Sequence, residues 1–240
     1  MRFVLYNIRY GTGGGFRLPW SGYLRRTTSC LENISNYVRE FEPQIVGLVE
    51  VDAGSFRTCS RNQAGVIAGE LGHYHLYMSK YHNESLLNRI PILSQQGNAF
   101  LTHKTITNQK FHYFEKGVKR LVIELEMDNV VFFLVHLALK FRTRHHQLQE
   151  LYKLVKTTKK PHIVAGDFNP LRGSHEMELF QAAAGLRSAN KAGLPTFPSW
   201  APKQQLDYIF YSKGIEIKNF QIPSVTYSDH LPLVCDFEVG

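Results

Sequence analysis

The sequence predicts an α/β fold in which two β-sheets pack face to face and helices cover their outer sides. Three observations carry this. Short apolar runs rich in β-branched and aromatic residues recur along the chain with Gly or Pro nearby, which favours strands over buried helix segments. Amphipathic stretches with three- and four-residue spacing fall between some of them. The order is β-α-β-α, then a run of strands, then α-β-α, then strands again. That order suits neither a simple doubly wound sheet nor an all-β sandwich.

Strands are expected at Phe3–Ile8, Gln44–Val49, Asn98–Thr102, Leu121–Leu125, Val130–Leu137, His162–Ala165, Leu206–Tyr211 and Leu231–Phe237. The first helix, Arg25–Phe41, aligns Leu31, Ile34, Tyr37, Val38 and Phe41 on one stripe, and Pro43 ends it. Arg142–Thr157 repeats the pattern with Leu148, Leu151, Tyr152 and Val155. Asn62–Leu71 and Ser174–Ala184 are shorter helical stretches, the second with Ser174 expected as its cap.

Composition bounds the classes. In 240 residues, 43% are hydrophobic and 20% charged, which excludes a disordered tail and suits one domain over residues 1–240. Cys30, Cys59 and Cys235 make no CxxC pair and no disulfide framework. The first apolar run is too short for a signal-peptide core, and no stretch approaches the roughly 20 apolar residues of a membrane span. A cytoplasmic monomer without a transmembrane segment is therefore expected. The excess of 28 Lys+Arg over 20 Asp+Glu, a formal +8, suggests a polyanionic partner.

The chemistry is expected at strand ends. Asn7 closes the first strand, and Glu50 closes the second in Gly-Leu-Val-Glu-Val-Asp. His136 interrupts Phe-Phe-Leu-Val-His-Leu, and Asp167 and Asn169 follow His-Ile-Val-Ala in Gly-Asp-Phe-Asn. Asp207 sits in Gln-Leu-Asp-Tyr-Ile-Phe, and Asp229-His230 precede the last strand in Ser-Asp-His-Leu-Pro-Leu. A polar group at the edge of a buried strand needs a partner. Carboxylates and carboxamides are hard oxygen ligands suited to Mg²⁺ or Mn²⁺, and histidines donate protons or hydrogen bonds to an oxyanion. Phosphoester cleavage asks for this mixture.

In this order Asn7, Val-Glu50-Val-Asp, His136, Gly166-Asp167-Phe168-Asn169, Asp207-Tyr208 and Ser228-Asp229-His230 resemble the endonuclease/exonuclease/phosphatase superfamily over essentially the whole chain. That family includes deoxyribonuclease I, exonuclease III, inositol polyphosphate 5-phosphatases and neutral sphingomyelinases. Its four-layer α/β/β/α sandwich, two packed mixed β-sheets flanked by helices, agrees with the element order above. The resemblance implies Glu50 as principal metal ligand, with Asn7 and Asp229 completing the shell around Mg²⁺ or Mn²⁺. It implies Asp167 as the group that orients and deprotonates water, and Asn169 as a holder of phosphate or nucleophile. His230 would donate to the phosphoryl oxygen with Asp207 fixing its tautomer, and His136 would be a second donor. The reaction would be in-line attack of water on phosphorus.

Other features add candidates. Lys119 and Arg120, before a strand, could reach a substrate phosphate. Gly97-Asn98 is similar to a Gly-Asn-Ala pattern of bacterial-type members, whose amide lies near the cleft. Thr196-Phe197-Pro198-Ser199-Trp200 offers rings, Trp200 among them, to stack on a base or cover a lipid. Gly11-Thr12-Gly13-Gly14-Gly15 lacks a phosphate-loop ending and is read as a loop, with Arg17 and Trp20 able to border the cleft. The cations from Arg142 to Lys160 read as a solvated helix face, with a polyanion track as the alternative.

The segment Glu50-Val51-Asp52-Ala53-Gly54 departs from the lysine-bearing pattern of exonuclease III-like nucleases, and the inositol phosphatase signatures are absent. The motifs look closer to the broad bacterial-type hydrolases. Charge places a nuclease first among the substrates, ahead of a phospholipid or a phosphorylated small molecule. A catalytically inactive polyanion binder would have lost Glu50, Asp167, Asp207 or His230, and all are present.

Overall fold

β1 (Arg2–Asn7) passes through α1 (Thr28–Arg39) to β2 (Ile45–Asp52), which lies parallel beside it. α2 (Gln63–Leu71), β3 (Tyr74–Ser79) and β4 (Gln96–Thr102) follow. The chain then builds a second sheet from β5 (Asn108–Tyr113), β6 (Leu121–Met127) and β7 (Val130–His136). α3 (Phe141–Lys156) returns it to β8 (His162–Asp167), parallel to β7. α4 (His175–Ala184), β9 (Arg187–Ser188) and β10 (Asp207–Tyr211) complete that sheet, and β11 (Ile215–Gln221) and β12 (Leu233–Val239) rejoin the first. This computed structural model describes residues 1–14, 27–80, 93–171 and 173–240. Arg17 and Trp20, read from the sequence as bordering the cleft, lie outside the described residues.

The sheet orders are β11-β12-β1-β2-β4-β3 and β5-β6-β7-β8-β10-β9. Period-two alternation in the central strands explains why they stack. Phe3, Leu5, Ile45, Phe132, Leu134, Ile163 and Ile209 point into the layer between the sheets. Their neighbours Val4, Tyr6, Val46 and Leu48 face α1 and α2, while Val131, Phe133, Val135 and Val164 face α3 and α4. Strands apolar on both faces need cover on both, and the four-layer sandwich supplies it. Phe3 and Phe132 meet across the middle layer with ring centroids 5.6 Å apart.

All eight expected strands form. The four that the sequence did not mark, β3, β5, β9 and β11, are the four sheet edges. Edge strands expose part of their length and carry no apolar run; β11 reads Ile-Glu-Ile-Lys-Asn-Phe-Gln. Asn62 caps α2, its side chain accepting from the N–H groups of Ala64 and Gly65. Ser174 does not cap α4 as expected. It already has helical dihedrals, and its hydroxyl donates to Glu178 instead, at 2.6 Å.

Candidate active site

Each sheet contains one β-α-β unit with parallel strands, β1-α1-β2 and β7-α3-β8. Their carboxyl ends meet at one end of the sandwich. Asn7 and Glu50 come from the first unit, His136 and Asp167 from the second. The Asn7 amide Nδ2 donates to Asp167 Oδ2 at 3.1 Å, joining the two sheets where both parallel pairs end.

Local backbone features aim the side chains. A bulge between Leu48 and Val51 in the pairing of β2 with β4 puts Glu50 at φ 57°. Such a conformation in a non-glycine residue costs of order 1–3 kcal/mol and is held by its surroundings. Asn98 on β4 supplies one holder, its Oδ1 accepting from the Glu50 N–H at 3.4 Å. Asn169 also has positive φ, 54°; its N–H donates to Asp167 Oδ1 at 3.1 Å and its Nδ2 to the Leu137 carbonyl at 3.1 Å. Gly166 must be glycine, because a Cβ there would stand 1.9 Å from the Val135 carbonyl oxygen.

Asp167 lies opposite Asp207 in the antiparallel pairing of β8 with β10, and His230 reaches both. His230 Nδ1 donates to Asp207 Oδ2 at 2.8 Å, while Nε2 stands 3.9 Å from Asp167 Oδ2. Thr196 fixes Asp207 with a hydroxyl bond of 2.6 Å, and Phe197 packs on the His230 ring at 5.0 Å between centroids. Burial disfavours a charged imidazole, yet Asp207 and Asp167 outweigh it and raise His230 to about 10. Burial likewise opposes charge on Asp167, but the His136 hydrogen bond and the nearby cations hold its carboxyl well below the usual range.

Lys119 Nζ bonds His136 Nε2 and stands 3.8 Å from Glu50 Oε1. His136 Nε2 lies 3.3 Å from Asp167 Oδ2. Burial and the Lys119 ammonium lower His136. Burial raises Glu50, but Lys119, His136 and Lys80 bring it below its ordinary value.

A cleft of about 420 Å³ opens over this floor. Glu50, Asp167, Asn169, Asp229, His230 and Lys119 line it, as do Leu139 and Leu171. Asn7, His136 and Asp207 lie behind that lining, bonded to residues in it. Asn98 is buried against the Glu50 backbone, and Arg120 turns its Nε onto the Phe114 carbonyl. Trp200 is exposed and does not line the cleft, where Phe197 of the same segment does. Asp229 pairs with Arg9, Nε to Oδ2 at 3.2 Å.

Arg9, Arg57 and Lys80 also line the cleft and were not marked by the sequence. Arg9 follows Asn7 by two residues, so the strand exit was a usable signal. Lys80 directly follows the unmarked edge strand β3, where no signal existed. Its ammonium donates to Tyr10 Oη at 2.9 Å and to Gln96 Oε1 at 2.6 Å, and burial pushes it down to about 7.

The donor chemistry of the lining fits a hard divalent cation. Glu50, Asp167 and Asp229 bring carboxylates to one cleft beside the Asn169 carboxamide, with no sulfur among the lining residues. Burial pushes Asp229 up against the opposing His230 and Arg9 cations, with the Glu50 charge adding to the rise. Asp167, Asp207 and His230 also bring ligand atoms within 4.8 Å of one another. Within that trio Asp207 is already taken up by hydrogen bonds from His230 and Thr196.

The comparisons agree with the geometry. A search of curated protein sequences gives no match. Among solved structures, a conserved protein of unknown function from Enterococcus faecalis superposes with a TM-score of 0.77 at 15% identity, covering 100% of both chains. The human nocturnin catalytic domain, solved with bound sulfate, gives 0.70 at 22% identity, covering 100% of this chain and 93% of that one. A mannosyl-6-phosphatase from Bacteroides thetaiotaomicron gives 0.72 at 14% identity, covering 99% of each. At such identities these likenesses show the fold alone. The sequence model described as the endonuclease/exonuclease/phosphatase family matches residues 4–230, and the chain therefore belongs to that family of phosphoester hydrolases.

Proposed function

We propose that the protein is a divalent-metal-dependent phosphodiesterase that cleaves its substrate by in-line attack of water on phosphorus. The observation that carries this reading is the convergence on one cleft of Glu50, Asp167 and the Asp207-bonded His230. Glu50, with Asn7 and Asp229, would hold Mg²⁺ or Mn²⁺. Such an ion neutralises phosphate charge and polarises the phosphoryl oxygen.

The chain's own residues supply the rest. Asp167 stays ionised and accepts a hydrogen bond from water, orienting it toward phosphorus. It also takes the water's proton as the new P–O bond forms, while the old P–O bond breaks and its oxygen departs as the leaving group. Asn169 is fixed by its N–H on the Asp167 carboxylate and its Nδ2 on the Leu137 carbonyl, and presents its remaining carboxamide surface to phosphate or water. His230, locked by Asp207, donates from Nε2 to the phosphoryl oxygen. Lys119, its ammonium donating to His136 Nε2 behind it, adds positive charge to the cleft.

The basic balance suits a polyanionic substrate, and nucleic acid is the first reading from charge. A phospholipid or phosphorylated small molecule is the second, favoured by the apolar Leu139 and Leu171 on the cleft wall. A magnesium- or manganese-supplemented panel of single-stranded DNA, duplex DNA, RNA, sphingomyelin and inositol phosphates tests both. Turnover of lipid with none of the nucleic acids removes the nuclease reading. No turnover of any phosphodiester removes the proposal.

A further inference from the structure

Val118, Leu139 and Phe141 are 52%, 54% and 50% exposed; the first two lie in two turns beside the cleft and Phe141 opens α3 directly after the second turn. One turn, between β5 and β6, carries Lys116 and Val118. The other, between β7 and α3, carries Leu139 and Lys140 and runs into Phe141 and Arg142. All three cations are exposed as well. Apolar side chains and these three cations therefore share one lip with the exposed Glu115, and Leu139 belongs both to the lip and to the cleft wall.

The lip is held rigidly from beneath. Gln147 on α3 is fully buried; its Nε2 donates to the carbonyls of Lys116 at 2.9 Å and Lys119 at 2.7 Å, and its Oε1 accepts from the Ala138 N–H at 2.8 Å. One side chain thus ties both turns together. Arg144, also buried, donates to the carbonyls of Ala138 at 3.0 Å and Leu139 at 2.8 Å while pairing with Glu176 at 2.6 Å. Buried polar residues spent on holding apolar tips in water point to a surface that covers those tips during function.

We propose that this lip docks the protein on an anionic phospholipid surface and presents the cleft to phosphodiesters lying in it. The docking stands on the lip alone; the substrate class it brings rests on the phosphodiesterase reading. Charge complementarity selects an anionic partner. The apolar component then selects a bilayer over nucleic acid. Nucleic acid rewards cations and stacking rings but gains little from exposed Val and Leu, whereas a bilayer interface takes up both kinds of side chain.

The test is co-sedimentation of the full chain with vesicles of phosphatidylcholine alone and of phosphatidylcholine mixed with phosphatidylserine. Binding is expected to the mixed vesicles and to weaken with salt. Val118→Asp/Phe141→Asp should weaken it by about tenfold or more, with turnover of soluble bis-p-nitrophenyl phosphate unchanged. Lys140→Glu/Arg142→Glu should also weaken it, and serves as the second probe should the first pair disturb folding. The proposal is overturned if mixed vesicles are ignored, or if binding survives Val118→Asp/Phe141→Asp in a folded protein. It is equally overturned if the substitutions abolish binding to duplex DNA while vesicles are never bound. A chain that binds vesicles but hydrolyses no soluble diester leaves the docking standing and removes the phosphodiesterase reading instead.

Discussion

The Asn7 amide on β1 donates to the Asp167 carboxylate on β8, 3.1 Å away, so one buried hydrogen bond joins the two sheets at the site. Its Oδ1 in turn accepts from the Arg9 N–H at 3.1 Å, and Ser228 donates to its backbone carbonyl at 2.7 Å. Asn7 is thus a brace between the sheets as well as a candidate ligand. Asn7→Ala should lower stability by about 1.5–3 kcal/mol, as loss of a buried hydrogen bond to a charged group does. Phosphodiester turnover should fall with it. Urea unfolding and initial rates measured on the same preparation check both, and an unchanged rate would deny Asn7 a role in the site.

Asp207 touches nothing in the cleft directly and acts through His230, with Thr196 holding it in place. Asp207→Asn keeps the shape but presents an amide to Nδ1, which disturbs the tautomer and removes the charge that favours imidazolium. By analogy with carboxylate-to-amide changes behind catalytic histidines, kcat should fall by about 10²- to 10⁴-fold. KM and the circular dichroism spectrum should change little. A variant with wild-type kcat would show that His230 does not act in the reaction.

Much of this arrangement was readable in the sequence, for a definite reason. Central strands are buried on both faces, so they appear as apolar runs, and the polar residues that end them stand out. Asn7, Glu50, His136, Asp167 and Asp207 were found in that way. Edge strands lack the contrast, and Lys80 was lost with β3. Local sequence also does not tell a residue lining the cleft from one bracing it. Asn98 reads as a cleft residue and holds the Glu50 backbone, while Arg120 is turned onto Phe114.

Asp52, two residues beyond Glu50, is consumed by structure. It is fully buried and accepts from Arg57 Nη2 at 2.6 Å, from the Ser55 hydroxyl at 2.6 Å and from the N–H groups of Gly54 and Ser55. Arg57→Ala strands that carboxylate and should cost about 3–5 kcal/mol. Asp52→Asn/Arg57→Met removes both charges and should recover part of the loss. Chemical denaturation of the two variants checks this, and equal midpoints would contradict it.

His73 gives the fold a pH dependence away from the cleft. Burial, and then the neighbouring His103 imidazole, push it down from 6.5 to about 4. The unfolded chain takes up this proton near 6.5 and the folded chain only near 4, so stability rises with pH across that window and is lost as pH falls through it. With the ring partly in contact with solvent, the effect should be about 1 kcal/mol. His73→Gln should flatten the slope of unfolding free energy between those limits. An unaltered slope would place the titration elsewhere.

The central claim is that Glu50 and His230 serve one metal-dependent hydrolysis in a single cleft. The most direct measurement is the initial rate on bis-p-nitrophenyl phosphate across a magnesium and manganese titration, for the wild-type chain, Glu50→Gln and His230→Ala. The account predicts no rate with chelator, saturation by metal in the wild type, and losses of at least about 10²-fold in both variants. For Glu50→Gln it also predicts a metal requirement moved to higher concentration. Unchanged turnover in either variant, or full activity in chelator, would contradict it.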